Sequence, residues 1–156
     1  MDKTSSAALL AGRVALSAIF LISGLGKLAS WHATVAFVGA KGVPELVLVC
    51  ATALELLGGL SLLTGWKTRW GVAALIVFLV PVTLVFHRFW AYQGAEAQAQ
   101  SVHFLKNLAI GGGLLTVFGA GPGRFSVDGR RSRGAVRSVA RGAEGKAVAP
   151  ATATHP

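Results

Sequence analysis

Six side chains that could do chemistry fall in or beside apolar stretches of the chain: Lys27, Glu55, His87, His103, Lys106 and Asn107. An ionisable group at membrane depth is costly enough to mark a functional site, so each is a candidate. Ser23 and Lys27 are spaced i, i+4, as are Thr83 and His87, and His103, Lys106 and Asn107 fall at i, i+3 and i+4. On helices these spacings give shared faces. Lys27, Lys106 and Asn107, with His103 beside them, could donate to an anionic or carbonyl oxygen, while Glu55 or His87 could exchange a proton with it. Glu55 must be neutralised, either by protonation or by a cation such as Lys106 or Lys27. A buried pair that only fixes helix register is the bland alternative. Two histidines could also hold a haem or share a metal with Glu55. The absence of a third ligand at metal spacing argues against both, and a quinone carbonyl suits them better.

The elements that position these residues follow from composition. The chain has 156 residues, 53% apolar and 13% charged, with a mean hydropathy of +0.61. Soluble domains carry roughly 25% charged residues, so a soluble enzyme is disfavoured. Four apolar runs, about 10–28, 44–64, 70–87 and 102–120, come near the roughly 17–25 residues that a helix needs to cross a bilayer. Backbone polar groups in lipid must be satisfied within the segment, and nothing alternates with a period of two, so the expected fold is an all-α four-helix transmembrane bundle. The first run resembles a signal peptide, but Arg13 interrupts it and it continues to Leu28, so it is read as retained. Small residues at Gly24, Gly26, Gly58, Gly59 and Gly111 to Gly113 allow close helix approach. Pro81 is expected to kink the third helix.

Charge and aromatic residues suggest an orientation. Trp31 and the Phe86, Phe89, Trp90 and Tyr92 cluster mark one interface, and Trp66 with Trp70 the other. Lys3, Arg13, Lys67, Arg69 and the arginines after Gly123 share the end that holds both termini, which the positive-inside rule makes cytoplasmic. Residues 1–123 form the expected membrane domain. Residues 124–156 carry seven Lys/Arg and two Asp/Glu with few large apolar residues, and are expected to be a disordered basic tail. The net charge of +9 does not imply nucleic acid, because the cations of the first part sit singly at the edges of apolar runs. The single Cys50 rules out an intramolecular disulfide or a cysteine metal cluster.

Several short motifs in order carry a family resemblance. They are Ser23-Gly24-Leu25-Gly26-Lys27, Glu55-Leu56-Leu57-Gly58-Gly59, Thr68-Arg69, Phe86-His87-Arg88-Phe89-Trp90, Phe104-Leu105-Lys106-Asn107 and Gly121-Pro122-Gly123-Arg124-Phe125-Ser126-Val127-Asp128. On these the chain resembles the DoxX family of small four-helix membrane proteins, over roughly residues 8–128. The resemblance implies a cell-membrane location and a link to quinone-dependent or thiol-stress redox systems. It also implies partners of the sulfurtransferase or superoxide dismutase type. It marks Lys27, Glu55, His87, Lys106 and Asn107 as motif positions without giving them steps, and it does not extend to the arginine-rich segment after Asp128. With no redox centre of its own, such a chain needs a bound quinone or a partner protein for electron transfer. A non-enzymatic scaffold that anchors a partner is the alternative, and a small transporter a third, for which a homo-oligomer could form the path.

Overall fold

The structure is a computed structural model and describes residues 3–135 and 138. It is all-helical over those residues: α1 (Lys3–Ala29), α2 (Trp31–Gly39), α3 (Glu45–Thr64), α4 (Thr68–Phe86) and α5 (Gly94–Ala120), with a 3₁₀ turn at Phe89–Ala91. Four helices are long and apolar enough to cross a membrane: α1, α3, α4 extended through the 3₁₀ turn, and α5. The core is drawn from all four, with Phe20, Leu62, Val72, Leu75, Phe78, Leu79, Ile110, Leu114 and Val117 buried together. The outward faces are apolar as well: Ile22, Leu57, Val77 and Leu108 are 65–72% exposed. In water that surface would drive aggregation, whereas acyl chains solvate it.

Local chemistry fixes the helix ends. Pro44 stands at the N-cap of α3 with φ −63°, where its missing N–H costs nothing. Gly65 ends the same helix at φ +68°, and a β-carbon there would lie 2.6 Å from Arg13 Nη2. Gly65 thus meets both a left-handed backbone and a crowded turn. Close approach also needs Gly24, Gly58 and Gly59, where an added β-carbon would fall 2.8 Å from Leu56, 2.5 Å from Leu75 and 2.9 Å from Leu21. Gly26 and Gly112 face open space, so these two expected packing glycines do not act as such.

Two elements differ from the sequence reading. The nine-residue α2 lies between the first two spans, tied to α3 by Trp31 Nε1 donating to Glu45 Oε1 at 3.1 Å. The fourth span begins at Gly94 rather than near 102, because the alanine- and glutamine-rich stretch before it is helical without being apolar.

The residues after Gly123 also depart from a solvated tail. Ser126 is 4% exposed, and residues 127–135 are helical. Asp128 accepts from Lys67 N at 3.1 Å and Thr68 N at 3.0 Å, and also from the Thr68 hydroxyl. Its own N–H donates to Gly65 O at 3.0 Å. The physical reason is that Asp128 caps the unsatisfied donors at the start of α4. Burial alone would raise its pKa, but the Thr68 and Lys67 N–H bonds, the Thr68 hydroxyl and nearby Arg131 outweigh this and hold it below the ordinary value. Residues beyond 138 lie outside the described residues, so the disorder expected of them stays an expectation.

Arg13 holds this end together. It is fully buried, and its guanidinium donates to Leu62 O at 2.8 Å, Leu63 O at 3.0 Å, Pro122 O at 2.6 Å and Phe125 O at 3.2 Å. The planar fork satisfies carbonyls at the C-terminus of α3 and in the loop after α5. The sequence reading saw a charge that interrupts an apolar run and belongs to the positively charged end, but not its carbonyl partners.

Candidate functional site

Helix α1 brings Ser23 and Lys27, one turn apart, against Glu55 on α3. Lys27 Nζ lies 2.8 and 2.7 Å from the two carboxylate oxygens and 2.7 Å from Ser23 Oγ. Ser23 Oγ in turn donates to Glu55 Oε1 at 3.0 Å. Glu55 is 4% exposed, while Lys27 keeps 24% of its side chain accessible. Between the two cations that the sequence offered, Lys27 pairs with Glu55 and Lys106 does not. The approach depends on Gly24, which leaves room for Leu56 and the Glu55 β-carbon against α1.

A second group forms at the outer ends of α4 and α5. The His87 and His103 rings stack with centroids 5.0 Å apart and planes at 27°. His87 Nδ1 meets Gln100 Oε1 at 3.0 Å, and Lys106 Nζ donates to His103 Nδ1 at 3.3 Å. Asn107 is buried and donates to Thr83 Oγ1 at 3.0 Å; Thr83 donates to Leu79 O. Asn107 thereby joins α5 to α4 and also lines the cavity described below. His103 and Lys106 are exposed, at a rim rather than on the bundle axis, which modifies the expectation that all the polar faces converge inside. Their helix begins two turns earlier than expected. Among the described residues no three His, Cys, Asp or Glu side chains gather to hold a metal.

Both groups line one cavity of about 660 Å³. Its walls are apolar, from Phe20, Leu48, Phe78, Leu79 and Ile110; Lys27 and Glu55 lie on one part of its lining, and His87, His103, Lys106, Tyr92 and Gln100 on another. The Phe37 and Phe86 rings, stacked at 6.1 Å, join α2 to the end of α4 beside it. Tyr92, Glu96 and Gln100 were not candidates in the sequence, since they precede the apolar run of the fourth span. Such a chamber, largely apolar with a few placed donors, suits a molecule with an apolar body and a polar head.

The family model for DoxX matches residues 8–88. The chain is 33% identical over 128 residues to the inner membrane protein YqjF of Escherichia coli (strain K12), covering 82% of this chain and 95% of that one. It is 28% identical over 124 residues to the inner membrane protein YphA of the same organism, covering 78% and 89%. A shorter match, 33% identical over 69 residues, covers 44% of this chain and 52% of the putative oxidoreductase CatD of Bacillus subtilis (strain 168). No solved structure matches the chain. The matched region contains α1 through α4, including the Lys27–Glu55 pair, and with the near full-length similarity to YqjF it shows that this multi-pass membrane protein belongs to the DoxX family.

Proposed function

We propose that the chain is the membrane component of a redox or thiol-oxidative-stress system, and that its cavity receives the headgroup of a quinone-like molecule. The observation that supports this most is the single chamber that joins apolar walls to a rim of donors. A quinone, when bound, supplies two-electron redox chemistry. Lys106, which has no carboxylate partner within salt-bridge distance among the described residues, donates to a ring oxygen. Lys106 already donates to His103 Nδ1, so the neutral His103 ring carries its proton on Nε2. Gln100 Oε1 accepts from His87 Nδ1, which leaves His87 Nε2 free as the base that exchanges a proton. Glu55, held by Lys27 and Ser23, positions the inner wall instead of taking the proton itself.

Electrons come from a partner protein; the sulfurtransferase or superoxide dismutase type suggested by the family resemblance fits this reading. The oxidoreductase name of the Bacillus relative points the same way. The arginine-rich end, with both termini, faces the cytoplasm on the positive-inside rule.

Purification in mild detergent followed by solvent extraction and an absorbance spectrum tests the proposal. The expected result is near-stoichiometric quinone, reduced several-fold in Lys106→Ala at unchanged protein yield. A colourless preparation carrying only phospholipid sinks it. The completeness of the Lys27, Glu55 and Ser23 network favours a second reading, a scaffold in which the pair merely locks α1 to α3. In that case no cavity variant, Lys106→Ala included, changes ligand content.

A further inference from the structure

The opposite end of the bundle carries a second, unrelated site. We propose that the groove between the first turn of α4 and the segment docked after α5 seats the phosphodiester headgroup of an anionic phospholipid. The groove measures about 430 Å³ and is lined by Lys67, Arg69, Trp70, Gly123, Asp128 and Ser132. Its charge is decided by what its one carboxylate already does. Both oxygens of Asp128 are held by Lys67 N, Thr68 N and the Thr68 hydroxyl, so Asp128 builds the wall, and its single charge, felt by nearby Arg131, is outnumbered by the cations around it. Lys67, Arg69, Arg124, Arg130, Arg131 and Arg133 are all exposed at this end, and none is in a salt bridge among the described residues.

Three features favour a lipid over a free anion. First, Trp66 and Trp70 are 47% and 80% exposed beside the groove, at the level where indoles meet headgroups. Second, Lys67 Nζ stands 5.1 Å from the centre of the Trp66 ring, and Arg124 Cζ 5.3 Å from that of Phe125, so the charges lie on the aromatic belt. Third, Trp70, Val77 and Leu84 repeat every seven residues, on one face of α4, and are 80%, 72% and 50% exposed. This apolar stripe runs from the groove toward the other leaflet and offers an acyl chain a track.

Native mass spectrometry of the full chain, released from detergent holding equal phosphatidylglycerol and phosphatidylcholine, tests the site. Wild-type protein should retain phosphatidylglycerol preferentially. The preference should fall roughly five-fold for each neutralised cation, hence about twenty-five-fold in the Lys67→Gln, Arg69→Gln double variant. The charge-conserving Lys67→Arg, Arg69→Lys variant should keep most of it, which separates lost charge from lost fold. Arg88→Gln, an exposed cation at the other end, should leave it unchanged. Equal retention of both lipids, an undiminished preference in the neutralised variant, the same loss in Arg88→Gln, or inorganic phosphate binding as tightly as the lipid would each overturn the assignment.

Discussion

The four polar contacts of Arg13 set the energetic scale for single residues in this molecule. Replacing it by Met leaves carbonyls of Leu62, Leu63, Pro122 and Phe125 without their donor, and should cost about 3 kcal/mol. Arg13→Lys should recover only part, because one ammonium cannot reproduce the planar fork. Thermal unfolding in detergent measures both; an unchanged midpoint in Arg13→Met would deny the hub its role. At the Lys27–Glu55 pair, Glu55→Gln should cost about 2 kcal/mol. That is less than a fully buried pair loses, since Lys27 keeps 24% of its side chain exposed. The double replacement Lys27→Met, Glu55→Leu should restore much of it, because no charge is then left unpaired. Glu55 was legible in the sequence as a charge needing a partner, and Lys27 stood out by its Ser23 neighbour. Arg13 was not, because its acceptors are backbone carbonyls 49 to 112 positions away that no side-chain pattern announces.

At the level of elements, glycine positions decide how closely the helices meet. Gly58→Ala drives a β-carbon to 2.5 Å from Leu75 and should destabilise the bundle by about 1–3 kcal/mol. Gly26→Ala meets open space and should be neutral or slightly stabilising; equal effects in a thermal melt would contradict the packing. The segment that follows α5 depends on Asp128. Since folding lowers the pKa of this carboxylate, its contribution is complete above the ordinary carboxylate value and fades as pH falls through the lower folded value. Hydrogen exchange at the Lys67, Thr68 and Asp128 amides should therefore stay protected at neutral pH and speed up in strong acid. Asp128→Asn should exchange faster at neutral pH and lose that acid step. The four spans were readable because each apolar run is long enough to cross lipid. Helix α2, at nine residues, falls below any such threshold, and the first turns of α5 are too polar to register as a span. The docked stretch around Ser126 and Asp128 looked like solvated chain because capping, rather than apolar burial, holds it.

For the whole molecule, the bundle has two different ends and one chamber. Its apolar outer surface suits lipid, its buried Glu55 carboxylate is paired with Lys27 within the protein, and Lys41 and Lys106 line the chamber with no salt bridge among the described residues. The sequence showed the polar residues and the family, but not that Asn107 bonds Thr83 or that Lys106 stays exposed; both depend on how α4 and α5 are rotated against each other. The cavity as a quinone-like headgroup site is tested most directly by photolabelling the protein in nanodiscs with an azido-quinone and mapping the modified peptides. The account predicts label on the chamber-lining stretch from Phe78 to Ile110, displaced by unlabelled quinone and weakened several-fold in Lys106→Ala. Label spread over the lipid-facing Leu57, Val77 and Leu115, with no competition, would contradict it.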